Sequence, residues 1–190
     1  MNDAWNTFSH THRSFDTSET VPQSLRNTLW DQAQSSTDLW QPIFLEDADL
    51  IRWIYDQSTI PVIDSYKLPN YIDRKNSQLL APLLIVLPMI YSSEKSNQLH
   101  YETGRVYSSL ALTAIQQGWQ TGFCICFENN TVGNRLKELG IMRQDVHFGS
   151  LPFLSIGHHM PTQPWGWAED IGIDLKGPLK KIKESYITMT

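Results

Sequence analysis

Cysteine is scarce in this chain. Only Cys124 and Cys126 occur, two apart in a stretch that reads as extended, so both thiols fall on one face with poor geometry for bridging each other. A disulfide framework is thereby excluded, and buried thiols acting as small apolar groups are the plainer expectation. Positive charge is also short: 15 Lys and Arg stand against 20 Asp and Glu, a formal net charge of −5. That balance leaves no overall footprint for nucleic acid or an anionic membrane. The longest apolar run, Leu79 to Tyr91, is interrupted by Pro82 and Pro88 and falls short of the about 20 residues a membrane helix needs. The opening MNDAWNTFSHTH lacks a basic region followed by an apolar core, so a cytoplasmic location without membrane contact is expected. H-E-x-x-H, C-x-x-C, a Walker loop and a G-x-S-x-G elbow are missing, and hydrolase or phosphotransferase chemistry has no anchor. There is no G-x-G-x-x-G either, so a Rossmann dinucleotide site has no anchor. His158 and His159 follow a predicted strand, where neighbours point to opposite faces, and no metal site is expected from them.

What is present suits one domain over residues 1–190. Apolar residues make up 41% of the chain and charged residues 18%, with seven Trp, seven Tyr and seven Phe, enough for a sizeable core. Pro22 suits the first turn of a helix whose stripe is Leu25, Leu29, Trp30 and Ala33, stopped by Ser35, Ser36 and Thr37. A second helix is expected over Ala48 to Gln57, with Leu50, Ile51 and Ile54 inward. Between Ile60 and Ser77 the pattern is irregular, punctuated by Pro61, Pro69 and Asn70. Leu83 to Leu87 reads as a central strand, apolar on both faces. From Gly104 to Gln117, Val106, Leu110, Ala111, Ala114 and Ile115 follow helical spacing, and Gly118 suits a left-handed end to that helix. Gly122 then leads into Phe123 to Phe127, a run too apolar for a surface strand. Thr131 is placed to cap a helix carrying Val132, Leu136 and Leu139, ended by Gly140, and Leu151 to Ile156 forms another buried strand. Helices and strands in this order indicate an α+β sandwich.

Several segments, taken in chain order, resemble the FMN-dependent nitroreductase family. The central helix with Glu102, Gly104 and Ala114 to Gly118 matches that family's acidic residue, Gly, small-residue helix and A-x-x-x-G turn. Ser9-His10-Thr11-His12-Arg13-Ser14-Phe15-Asp16 fits its N-terminal frame of basic residues, Ser or Thr, a second basic residue and an aromatic, except that Ser9 stands where the first Arg is usual. Gln34 to Pro42 retains a serine pair and Gln41-Pro42, with one residue inserted and Asp38 near the usual Asn. Leu80-Ala81-Pro82-Leu83-Leu84-Ile85-Val86 looks like the A-P-x-x-I-V-V core strand, and Lys176-Gly177-Pro178-Leu179 like the C-terminal basic-x-Pro-Leu.

The resemblance implies a nitroreductase-like α/β/α sandwich with a central, mostly antiparallel sheet, assembled as an interlocked homodimer with FMN at the subunit interface. The segment of about 161–190 would reach across the partner, covering Trp165, Trp167, Ile171 and Ile173, which would be awkward in solvent. It further implies that His10, Thr11 and Lys176 hold the FMN phosphate and that Gln41 and Asn76 contact ring or ribityl, with Asn70 an alternative to Asn76. The backbone of Cys124, Ile125 and Cys126 would face flavin N5 and O4. Arg13 would sit at the N1/O2 edge, where two-electron reduction leaves negative charge and a guanidinium stays cationic without a proton equilibrium. The implied activity is an oxidoreductase: NAD(P)H gives hydride to N5, leaves, and a flat electron-poor small molecule such as a nitroaromatic or quinone takes the electrons. A non-catalytic structural or regulatory dimer, and a flavin enzyme oxidising a specialised biosynthetic substrate, are the alternatives. The departures at Ser9 and Asp38 motivate the first of these.

Overall fold

The computed structural model describes residues 15–34, 39–58, 77–90, 96–125, 127–146 and 152–158. Its elements are α1 (Gln23–Gln34), β1 (Ile43–Leu45), α2 (Ala48–Asp56), a 3-10 turn (Ser77–Leu79), β2 (Leu83–Val86), α3 (Ser96–Gln116), β3 (Gln120–Cys124), α4 (Asn129–Glu138) and β4 (Phe153–Gly157). The four strands form one sheet in the order β1-β2-β4-β3, antiparallel at every pairing. Helix α1 packs on α3, and α3 packs on β3 and β4. Helices plus an antiparallel sheet are the α+β architecture expected from sequence.

The sheet's middle is dry. All four residues of β2 and all five of β4 are buried, which explains a strand apolar on both faces. Ser155 is the polar exception in β4, and its hydroxyl donates to the carbonyl of Gln78. Trp40, also fully buried, donates its indole N–H to the Ala33 carbonyl at 2.8 Å, so its polar atom is satisfied at the end of α1.

Helix α3 begins eight residues before the expected Gly104. Its buried stripe runs through Leu99, Thr103, Val106, Tyr107, Leu110, Ala111 and Ala114, the i, i+3, i+4 pattern of one helix face. Thr103 concealed the first turns, since a threonine reads as polar. In the fold its hydroxyl donates to the Leu99 carbonyl at 2.7 Å, which makes it compatible with burial. Gly118 ends the helix at φ 88° and Gly140 follows α4 at φ 69°, the left-handed positions expected of both glycines.

Three local expectations need correction. Trp30 is not part of the α1 stripe: it is 38% exposed and lies edge-on to Phe44 at 5.2 Å, because a residue one step past Leu29 is rotated about 100° from it. Helix α4 is capped by Glu128, whose carboxylate accepts from Asn130 N–H at 3.4 Å, rather than by Thr131. Leu139 closes α4 at 45% exposure instead of pointing inward. Strand β3 starts at Gln120 and stops at Cys124, so the apolar run after Gly122 belongs to the strand only in its first half.

Candidate functional site

The sequence-derived candidates His10, Thr11, Arg13, Asn76, Cys126 and Lys176 lie outside the described residues. Gln41, Cys124 and Ile125 lie inside them, at the end of the sheet where β2 finishes and β4 begins. Cys124 is the last residue of β3 to pair, opposite Phe153, and is 1% exposed, so its thiol belongs to the core. Ile125 follows at once and is 61% exposed. The chain thus leaves the β3–β4 ladder after Cys124, and at Phe127 it bridges Ser58.

Gln41 has a different occupation. Its backbone N–H donates to the Pro88 carbonyl at 2.9 Å, its side-chain amide N–H to the Ile141 carbonyl at 2.9 Å, and its amide oxygen accepts from Arg143 N–H at 2.9 Å. The amide thus clamps the loop after α4. Gln41 precedes β1 and Cys124 ends β3, the two outer strands of the sheet, three strand spacings or about 14 Å apart. One chain by itself does not bring Gln41 together with Cys124 and Ile125.

This end of the sheet is fixed by Tyr107, a residue that the helix pattern in the sequence does not single out. Its buried hydroxyl accepts from Leu87 N–H at 2.9 Å and donates to the Pro152 carbonyl at 2.8 Å. One phenol therefore ties the exit of β2 to the entry of β4. Burial pushes its pKa well above the ordinary phenol range, against a smaller opposing effect of the Leu87 N–H.

At the opposite end of β4 the N-terminal segment docks two residues after Arg13. Phe15 is 4% exposed and packs on Gly157: a Cβ there would stand 2.7 Å from Pro82 Cδ and 2.9 Å from Phe15 Cδ1. Glycine is required for that approach. Asp16 N–H donates to the His158 carbonyl at 2.8 Å. The Asp16 carboxylate accepts from the hydroxyl (2.6 Å) and the N–H (2.9 Å) of Ser18, and these two bonds hold it below the usual carboxylate range, with a smaller contribution from nearby His158. His158 Nδ1 meets Glu19 Oε2 at 2.5 Å, and the imidazole stacks on Trp119 at 4.1 Å and 19°. Beyond this cluster a cleft of about 420 Å³ opens between Thr17–Thr20, the start of α2 and Leu80–Pro82, with Glu19, Glu46 and Arg52 on its walls. Among the described residues no three His, Cys, Asp or Glu side chains gather as metal ligands, and no helix is long and apolar enough to cross a membrane.

No protein-family model and no curated protein matches the sequence. Solved structures do, and they define the class: the chain has the nitroreductase fold. It is similar to an FMN-bound nitroreductase from Bacteroides fragilis, at 10% identity and a TM-score of 0.61 over 84% of this chain and 90% of that one. An FMN-dependent nitroreductase from Clostridium difficile gives 14% identity and a TM-score of 0.59, over 84% and 91%. A nitroreductase family protein from Clostridium novyi gives 13% and 0.60, over 87% and 89%. At these identities the likeness is one of fold, and it agrees with the resemblance carried by the sequence motifs.

Proposed function

We propose that the protein is an FMN-dependent oxidoreductase that passes hydride from NAD(P)H, by way of flavin N5, to a flat electron-poor acceptor such as a nitroaromatic or quinone. The observation that carries this reading is the nitroreductase fold, which is shared over 84% of the chain with an FMN-bound enzyme. The local fit supports it. Chain directly after β3 is exposed at Ile125, as backbone contact with N5 and O4 requires, and the segment following Arg13 is docked on β4. The donor set also suits the cofactor: His10, Thr11 and Lys176 can pair with a phosphate, and Asn76 can donate to a carbonyl oxygen.

Bound FMN would supply the two-electron acceptor and donor that no side chain provides. Arg13 would hold a fixed positive charge against the N1/O2 edge, lowering the energy of charge developing there. Cys124, Ile125 and Cys126 would orient the ring through main-chain donors. Gln41 holds the Ile141–Arg143 loop, and the site would be completed by a second copy of the chain, in an interlocked homodimer with residues 161–190 across the partner. The protein would work in the cytoplasm as a single-domain subunit.

The visible spectrum of purified protein tests the reading, recorded before and after adding FMN and desalting. Flavin bands near one per chain are expected. A colourless protein would instead favour a non-catalytic dimer, a reading to which the occupied amide of Gln41 lends weight. In the holoprotein, Arg13→Ala should slow flavin reduction by NAD(P)H about 10²-fold while FMN stays bound, and unchanged stopped-flow kinetics would refute its role. Light scattering should give twice the chain mass.

A further inference from the structure

We propose that Trp119, His158 and Glu19 form a clip that sets the position of the N-terminal segment bearing Arg13, which makes His158 a positioning residue for the flavin chemistry. The proposal rests on the function proposed above. It is carried by three contacts converging on one residue. The His158 carbonyl receives Asp16 N–H at 2.8 Å, its ring nitrogen meets Glu19 at 2.5 Å, and its ring face lies on Trp119 at 4.1 Å. Residues 16 and 19 are thus both anchored to a residue that directly follows the last pair of β4.

The clip is built on rigid supports. Gly118, left-handed at φ 88°, turns the chain out of α3 so that Trp119 enters β3 beside the pair Gln120–Gly157. Trp119 is 8% exposed and its backbone N–H donates to the Ala114 carbonyl at 3.0 Å, so its main chain is anchored to α3 and its indole is a buried platform. The Glu19 and His158 side chains are 37% and 42% exposed. Among the described residues the charged groups set against the imidazole are Glu19 and Asp16, both acidic. Phe15 fills the space over Gly157, which fixes depth, whereas the His158 contacts fix direction. Arg13 lies two residues before Phe15, so a shift of this segment moves its guanidinium relative to any ring it serves, and a misplacement of about 1 Å is enough to cost rate.

The test is a double-mutant cycle on the FMN-loaded protein, with a second readout that needs no flavin. His158→Ala should keep FMN at one per chain and slow flavin reduction about tenfold. The Arg13→Ala/His158→Ala double variant should be no slower than Arg13→Ala alone, because the clip acts through Arg13. His158→Gln, which keeps a donor towards Glu19 and a flat group on Trp119, should recover most of the rate. Multiplying losses in the double variant, or an unchanged rate in His158→Ala, would overturn the proposal. Separately, trypsin cleavage after Arg13, followed by mass, should be faster in His158→Ala than in wild type. Should the wild type bind no FMN, the proposed function fails and this cleavage decides the clip alone: an unchanged rate removes it. Glu19→Gln serves in the same two assays if His158→Ala does not fold.

Discussion

The two ends of β4 are held in opposite ways. At Phe153 the strand enters a fully buried environment, where Phe127 lies 5.0 Å away and the hydroxyl of Tyr107 ties Leu87 to Pro152. At Gly157 the strand ends under Phe15 and continues into His158, whose partner Glu19 is more than a third exposed. Buried contacts make the first end part of global stability. At the second end half-exposed polar contacts stand beside the buried Phe15, and their loss would free the segment after Arg13 while the core stays folded.

Substitutions at the two ends sharpen that contrast. The largest effect is expected from Phe153→Ala, about 3–5 kcal/mol for a buried aromatic, seen as a lower urea midpoint reported alike by every probe. Tyr107→Phe comes next, at about 1–3 kcal/mol, since it strands the buried Leu87 N–H. Its signature is pH. Burial raises the folded-state pKa above the usual 10.0, so the contribution of the neutral phenol is complete below pH 10 and is lost as pH rises beyond it. Wild-type stability should fall in that alkaline range, and Tyr107→Phe should lack that part of the fall. Gly157→Ala should also cost about 1–3 kcal/mol by overpacking, and at the same time should accelerate trypsin cleavage after Arg13. Equal acceleration by Phe153→Ala at low denaturant would erase the distinction between the ends. Smallest is Glu19→Gln, below about 1 kcal/mol for an exposed pair, with a urea midpoint close to wild type.

How much of this was legible in the sequence depended on whether a residue's role was local. Gly118 and Gly140 were readable because a left-handed turn after an apolar stripe demands glycine, and β2 because both its faces are apolar. The start of α3 was hidden by Thr103, whose hydroxyl is satisfied within its own helix turn. Strand β1, with three residues, is too short to show an alternation, and it owes its existence to pairing with β2. The need for Gly157 comes from Phe15 and Pro82, far away in sequence, and no local pattern announces it. Among the candidate site residues, Gln41 was picked out by motif resemblance as a flavin contact. Its partners at Ile141 and Arg143 became visible only in three dimensions, as did the meeting of Trp119, His158 and Glu19.

The clamp made by Gln41 also bears on how the chain folds. It joins residues 100 and 102 positions apart, so a long loop must close before either bond is gained, and the expectation is that it forms after the folding transition state. Disrupting it with Gln41→Ala should leave the refolding rate nearly untouched and speed unfolding instead. The clamp would then act as a latch on kinetic persistence, governing how long the folded chain lasts more than how fast it arrives.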